Sequence, residues 1–468
     1  MLQRSKNAPL TVDFATYPPP FNDILCKITS QTNRLRDVVL RQDPNTALLD
    51  LPKILSSFES TAPILEKLVL QGADLYNGAG TNRYSTIPAN FLQDGAPSLQ
   101  HLDITRFAIH WDTLPLSITL THLRLENVVP GNRPTRKLFS ETLAKLLRLE
   151  TIKISACLPH SGDASQPDSL PIILPSLRTL ELQDFVAELR QFFSVTQIPQ
   201  KAKVDLELSD EVLKSESLGS LFSALRASWT LPRDMVAGAA RNSAQPDILD
   251  LRVVDSMTRC IPQIMCWFNN HDLPPNFDVE NPPANLTVST HTIAIGLNIL
   301  LKAIAGRFGI SSLRSFKIAS NCIVLTRDTL ELVKGLPKLD RIAIWNRHDV
   351  LSEFLGVLKK KKDHVLAFPS LRSIELHGID FDEDLAGDSD AAIQALAAVL
   401  KSRKKIRSTI KRFAMTQCVN FLEHHWEVIQ AALPKQAETY WDEDEHIIDP
   451  SEDEEEFEDS SDYGGWGY

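Results

Sequence analysis

Along this chain, branched apolar residues recur in one short phrase rather than in long runs. Leu149 to Cys157, LETIKISAC, reads Leu-x-x-Ile-x-Ile-x-x-Cys. Leu149, Ile152 and Ile154 share one face of a strand in this reading, and Lys153 between them points the other way, as a two-residue period requires. Cys157 turns inward at the end of the strand, where it packs as a small apolar residue or meets backbone groups of the turn. The spacing returns at Leu313/Phe316/Ile318/Asn321 and at Ile410/Phe413/Met415/Cys418. Shorter versions start at Leu65, Leu99, Leu120, Leu177, Leu339 and Leu371, and degenerate ones lie at Leu206/Leu208 and Ile248/Leu251/Val253.

Between the strand phrases the apolar spacing changes to a helical period. It predicts helices over 21–30, 51–60, 137–147, 211–227, 292–305, 326–333, 350–359 and 389–402, with 421–433 as a closing helix that covers the last apolar edge. Strands are also expected at 8–14 and 35–40, and residues 1–5 read as the end of a helix. Proline in the phrases Pro97-Ser98-Leu99, Pro175-Ser176-Leu177, Pro337-Lys338-Leu339 and Pro369-Ser370-Leu371 would stop the preceding helix and start the strand. Residues 230–247 and 270–290 are rich in Pro, Asn and Asp, and the second is expected to be a long inserted loop.

First-leucine spacings of 34, 21, 29 and 28 residues from Leu65 to Leu177, then 26, 32 and 39 from Leu313 to Ile410, run longer and less regularly than a strict repeat of about 20–29 residues, with 34, 32 and 39 beyond it. The expected fold is therefore α/β: an irregular leucine-rich-repeat solenoid, curved, with a parallel sheet on the concave face and helices on the convex face. It divides into 1–60 as an N-terminal cap with the first units, 61–433 as the solenoid and 434–468 as an acidic disordered tail.

Charge changes the picture only at the end of the chain. Of 60 acidic residues, thirteen fall in 442–468, a stretch with no Lys or Arg, so residues 1–441 hold 49 basic against 47 acidic side chains. A nearly neutral body argues against a nucleic-acid binder driven by overall charge. The tail's density of like charge predicts disorder. Six scattered cysteines without a Cys-x-x-Cys pair fit a reducing compartment. No signal-peptide run opens the sequence, and no apolar run is long enough to span a bilayer. An intracellular protein, cytoplasmic or nuclear, is expected. Asn285-Leu286-Thr287 matches a glycosylation sequon, read as a chance match in a chain without an export signal.

No catalytic constellation appears: the chain lacks Gly-x-Ser-x-Gly, a phosphate-cradling glycine loop and His-Glu-x-x-His. Gly387 to Asp390 reads as a helix N-cap. His424 and His425 are adjacent on a helix, about 100° apart, a poor arrangement for chelation. Lys359 to Lys362 sits at a helix C-terminus, where cations suit the dipole. Arg403, Lys404, Lys405, Arg407, Lys411 and Arg412 read as a solvated basic face, a nuclear-import patch or a dock for the acidic tail. Trp345, Arg347 and His348, just beyond a strand, form a candidate partner-binding group, with a buried Trp345 as the other reading. Trp441, Phe457 and Trp466 are candidate anchors for a basic protein held by the tail, which otherwise serves as a solubilising appendage.

Ser5 to Leu10 followed by a short strand, the Pro-Ser-Leu-Arg-x-Leu-x-Leu units at 175–182 and 369–376 (Ile374 in the second) and Tyr440-Trp441-Asp442 before an acidic tail resemble the F-box/leucine-rich-repeat-like families of mushroom-forming fungi. In those families an F-box docks on a Skp-type adaptor of a cullin–RING ubiquitin ligase and the repeats select a substrate. The resemblance implies a non-enzymatic, protein-binding repeat scaffold, here without an F-box before Ser5, so adaptor docking is expected only if an F-box is supplied. A free-standing scaffold or acidic-tailed chaperone for basic proteins is the alternative. Neither cofactor nor metal is expected.

Overall fold

The apolar residues of the recurring phrase become buried files that run across parallel strands. The computed structural model describes residues 7–15, 22–42, 50–72, 85–127, 133–160, 162, 171–230, 247–255, 261–268, 283–290, 295–319, 327–359, 367–381, 389–405 and 410–443.

In chain order the strands are β1 (Leu10–Ala15), β2 (Leu35–Arg41), β3 (Lys67–Gln71), β4 (Ser85–Thr86), β5 (His101–Ala108), β6 (His122–Asn127) and β7 (Thr151–Ser155). There follow β8 (Ile172–Ile173), β9 (Thr179–Asp184), β10 (Thr196–Pro199), β11 (Lys203–Leu208), β12 (Trp229–Thr230), β13 (Asp250–Asp255), β14 (Pro262–Trp267) and β15 (Leu286–Thr290). The last five are β16 (Ser315–Ala319), β17 (Arg341–Trp345), β18 (Ser373–His377), β19 (Arg412–Thr416) and β20 (Glu438–Trp441). Helices α1 (Asn22–Thr29), α2 (Leu51–Ser56), α3 (Arg136–Leu143), α4 (Val186–Val195), α5 (Ser215–Ser228) and α6 (Ile295–Arg307) are followed by α7 (Arg327–Val333), α8 (His348–Lys359), α9 (Ser389–Lys405) and α10 (Glu423–Ala432).

The chain forms two units: Met1–Pro246 with Ile261–His271 and Glu280–Gly309, and Asp247–Cys260 with Asp272–Val279 and Ile310–Tyr468. Both are α/β with open, mostly parallel sheets. In the first unit the strands follow the order β1-β2-β3-β5-β6-β7-β9-β11-β15, all parallel, and β14 adds antiparallel to β15. Leu68, Leu102, Leu123, Ile152, Leu180 and Val204 stand side by side and are buried, as are Leu70, Ile104, Leu125, Ile154, Leu182 and Leu206 two residues on. Each such side chain contributes roughly 1.5–3 kcal/mol by leaving water. The short strands β8, β10 and β12 make a separate parallel sheet. In the second unit β13-β16-β17-β18-β19-β20 are parallel neighbours. Their inward files end on the helices: Phe413 of β19 lies 6.4 Å from Trp426 of α10, ring to ring.

The entry to each strand explains the Pro-Ser-Leu phrase more fully than proline alone. The first leucine closes a tight turn, its N–H donating three residues back, as in Leu99 to Ala96, Leu149 to Leu146 and Leu371 to Phe368. The hydroxyl before it donates to a carbonyl of the preceding repeat: Ser98 to Pro63 at 2.7 Å, Thr119 to Pro97 at 2.9 Å, Ser176 to Leu147 at 3.0 Å and Ser370 to Pro337. This ladder of side chains joins neighbouring repeats outside the sheet. At the strand exits the backbone turns left-handed, at Ala156, Asn346, Gly378 and Gln417.

The first unit also holds a buried ion pair. Asp184 at the end of β9 accepts from both terminal nitrogens of Arg133 at 2.7 and 2.9 Å, and from the N–H groups of Leu158 and Phe185. Its side chain is 1% exposed and that of Arg133 4%. Burial raises the Asp184 carboxyl above its ordinary pKa against the opposing pull of Arg133.

Three expectations are corrected. Residues 286–290 of the expected loop form β15, a buried strand between β11 and β14. Asn285, just before it, is buried, its Oδ1 accepting the N–H of Phe268 at 3.0 Å. Helix 421–433 does not close the second unit's sheet, because β20 follows it and pairs with β19. Residues 438–441, grouped with the tail by composition, are thus part of the sheet. β1 and β2 lie where strands were expected, and they pair with each other and with β3. The expected helix end at 1–5 and the loop over 231–246 lie outside the described residues.

Candidate binding face

In the second unit, the residues between the core files form three rows on the other face of the sheet. Arg341, Ser373 and Arg412 start β17, β18 and β19 in register. Lys317, Ala343, Glu375 and Ala414 make the middle row, and Trp345, His377 and Thr416 the last. Parallel strands bring neighbouring side chains together at about 4.8 Å intervals, so this face orders itself as the core does.

Trp345 is held on two sides. Its ring lies 4.2 Å from that of His377 at an angle of 30°, and Lys317 Nζ sits 2.9 Å from the indole centroid. A cation over an indole face is attracted by the ring quadrupole. His377 is fixed in turn, its Nδ1 2.8 Å from Thr416 Oγ1. Beside them on the same face lies a buried charge cluster: Arg252 is the neighbour of Lys317, and Asp250 accepts from Arg252 Nε at 3.1 Å and from its terminal nitrogen at 3.0 Å. Asp250, Arg252, Lys317 and Glu375 are all buried. Burial raises the Asp250 carboxyl, opposed by Arg252 and Arg341. Burial also lowers the Arg341 guanidinium, opposed by Asp250, Asp340 and Glu375.

The first unit carries a comparable face with different chemistry. Asp103, Arg124, Lys153, Glu181 and Asp205 stand side by side across five strands, two cations flanked by carboxylates, with Lys153 paired to Glu181 at 2.5 Å and Arg124 to Asp103 at 3.7 Å. His101 stacks on His122 with centroids 5.4 Å apart. Burial, then His122 and Lys67, lower the His101 pKa, and burial raises that of Asp103.

The sequence-derived candidates separate. Trp345 is half-buried on the sheet face, where its partners are Lys317 and His377, which came from other repeats. Arg347 is no open hot spot: it forks onto Asp349, with Nε 2.7 Å from Oδ1, and its side chain is 12% exposed. His348 begins α8, and its side chain lies outside the described residues. Trp441 is a packing residue, with Phe421 at 5.7 Å and Trp426 at 5.9 Å, not a loose anchor of the tail. Phe457 and Trp466 lie outside the described residues.

The supposed solvated basic face also breaks up. Arg403 is buried and donates to the carbonyls of Ala367 at 2.9 Å and Phe368 at 2.6 Å, burial pushing it down to about 10. Lys404 donates to the Leu433 carbonyl at 2.9 Å. Arg412 of that cluster starts β19 with Lys411 just before it, and Arg407 lies outside the described residues. His425 is buried and accepts the Leu422 N–H on Nδ1 at 3.1 Å, so it caps α10. Among the described residues no group of three His, Cys, Asp or Glu is placed to hold a metal ion, and no helix is long and apolar enough to cross a membrane.

Neither the protein-family models nor the curated proteins include a match to this chain.

Proposed function

We propose that the chain is a non-enzymatic protein-binding scaffold of leucine-rich-repeat type, related to the substrate-recognition part of an F-box subunit, and that the second unit's sheet face binds the partner. One observation carries this reading: Trp345 is fixed between Lys317 and His377 beside a buried charge cluster. Buried charges cost desolvation free energy that an apolar replacement would avoid. An ordered aromatic with charges around it matches the residue types that dominate binding energies at protein interfaces. The repeating strand entries and buried files support the solenoid reading, which supplies a broad rigid surface and no chemistry.

Panning a displayed random-peptide library on the full chain tests the proposal, with Trp345→Ala and the helix-face control Glu353→Ala as counter-selections. Enriched peptides should lose at least tenfold in affinity on Trp345→Ala and bind Glu353→Ala as they bind the parent. No enriched binder, or binders sensitive only to Glu353→Ala, would overturn it. The ligase relation is tested separately by binding to the Skp-type adaptor with an F-box fused before Ser5. An adaptor-bound protein that recruits nothing through this face would exclude that role.

A further inference from the structure

We propose that the partner taken by this face is an acidic polypeptide segment with spaced carboxylates, held along the strand entries of the second unit. The inference rests on the protein-binding reading above and names its ligand chemistry.

Two adjacent files carry it. The residues before β16, β17, β18 and β19 are Arg314, Asp340, Arg372 and Lys411, joined one to the next by backbone bonds: Asp340 N to Arg314 O at 2.9 Å, Arg372 N to Asp340 O at 2.8 Å and Lys411 N to Arg372 O at 2.7 Å. Arg314, Arg372 and Lys411 are exposed. The next file adds Arg341 and Arg412, with Ser373 between them. Arg314, Arg341, Arg372, Lys411 and Arg412 thus gather around Asp340 across four strands, a length of roughly 15 Å, with Asp250 and Glu438 at the two ends of the second file. Asp340 is held within this group by Arg341, Arg314 and Arg372, while burial raises its pKa. The net positive charge is local, since the body of the chain is nearly neutral.

The pattern selects among anions. A nucleic-acid backbone presents uniform, closely spaced phosphates and binds a continuous basic track. Here Asp340 interrupts the outer file, and Glu438 follows Arg412 on β20. An extended peptide spaces its side chains by about 3.3 Å and can leave the Asp340 position uncharged while setting carboxylates opposite arginines. Arginine forks suit carboxylates, and the serine in the second file adds a donor.

The test measures binding of a fluorescent 12-residue peptide of alternating Glu and Ser to the full chain, beside a single-stranded oligonucleotide of equal charge. Both are repeated on a full-length variant whose acidic residues beyond 443 are changed to Asn and Gln, which removes competition from the chain's own carboxylates. The triple variant Arg314→Glu/Arg372→Glu/Lys411→Glu alters exposed positions only. Peptide binding that falls at least thirtyfold in the triple variant, and exceeds oligonucleotide binding, supports the proposal. Tighter binding of the oligonucleotide, equal binding by the triple variant, or no peptide binding in either background overturns it. If library-selected peptides instead prove basic or neutral yet depend on Trp345, the acidic-ligand proposal fails while the binding face stands.

Discussion

Replacing Asp184 by alanine tests how far the first unit depends on a single buried contact. The substitution removes the acceptor of four hydrogen bonds and leaves the Arg133 guanidinium, 4% exposed, without its counter-charge. Breaking a buried pair from one side costs about 3–5 kcal/mol. Set against a typical total of about 5–15 kcal/mol, that is a large part of a unit's stability. At about 2–4 °C per kcal/mol for a unit of this size, the expected fall in Tm is roughly 6–20 °C. Two units need not unfold together, so the assay is hydrogen exchange at amides of β7 and β9 under rising urea. The double variant Arg133→Met/Asp184→Leu should recover at least half of the loss, because no charge is left stranded. A single-variant loss below about 1 kcal/mol, or a double variant worse than Asp184→Ala, would refute the reasoning.

Further outcomes follow from the turns, the ladder and a histidine. Gly378 has φ of +58°, and a Cβ there would meet Asn346 Oδ1 at 1.9 Å, so Gly378→Ala should cost about 1–2 kcal/mol from the backbone alone, read by urea denaturation. An unchanged midpoint would show that the exit turn is not constrained. Ser98→Ala should cost about 0.5–1.5 kcal/mol through the lost bond to Pro63, whereas Ser220→Ala, on an exposed helical site, should cost less. His101 has a folded pKa below its ordinary 6.5, so the unfolded chain takes up its proton first. The resulting contribution to stability is present above 6.5 and lost as pH falls through the lowered folded value. His101→Gln should flatten that part of the urea-midpoint profile between pH 5 and pH 7. A profile that keeps the parent slope would remove His101 as its source.

Strands with a full apolar phrase were legible because two signals agree: Leu149, Ile152 and Ile154 alternate with polar residues, and turn residues bound them. β15 was hidden by its neighbours, since Pro, Asn and Asp before it read as loop while its pairing with β11 lies more than eighty residues away in sequence. Helix α4 went unexpected, although Val186, Leu189, Phe192 and Phe193 make a buried helical face that could have revealed it. Trp345 was visible as an aromatic at a strand end. Its partners Lys317 and His377 were not, because register across repeats, not local spacing, brings them together. Arg403 misled for the same reason. In sequence it stands among basic residues, but its hydrogen-bond acceptors lie 35 and 36 residues earlier. The hydroxyl ladder was spelled out in Pro-Ser-Leu, where proline drew the attention and serine carried the contact between repeats.

Site-specific photo-crosslinking tests the central claim most directly. A benzophenone amino acid placed at Thr416, in the last row of the sheet face, is compared with the same group at Glu353 on α8, using a peptide enriched from the library. The account predicts a covalent adduct from Thr416 that is lost on adding Trp345→Ala, and none from Glu353. An adduct from Glu353 alone would place recognition on the helices and contradict it.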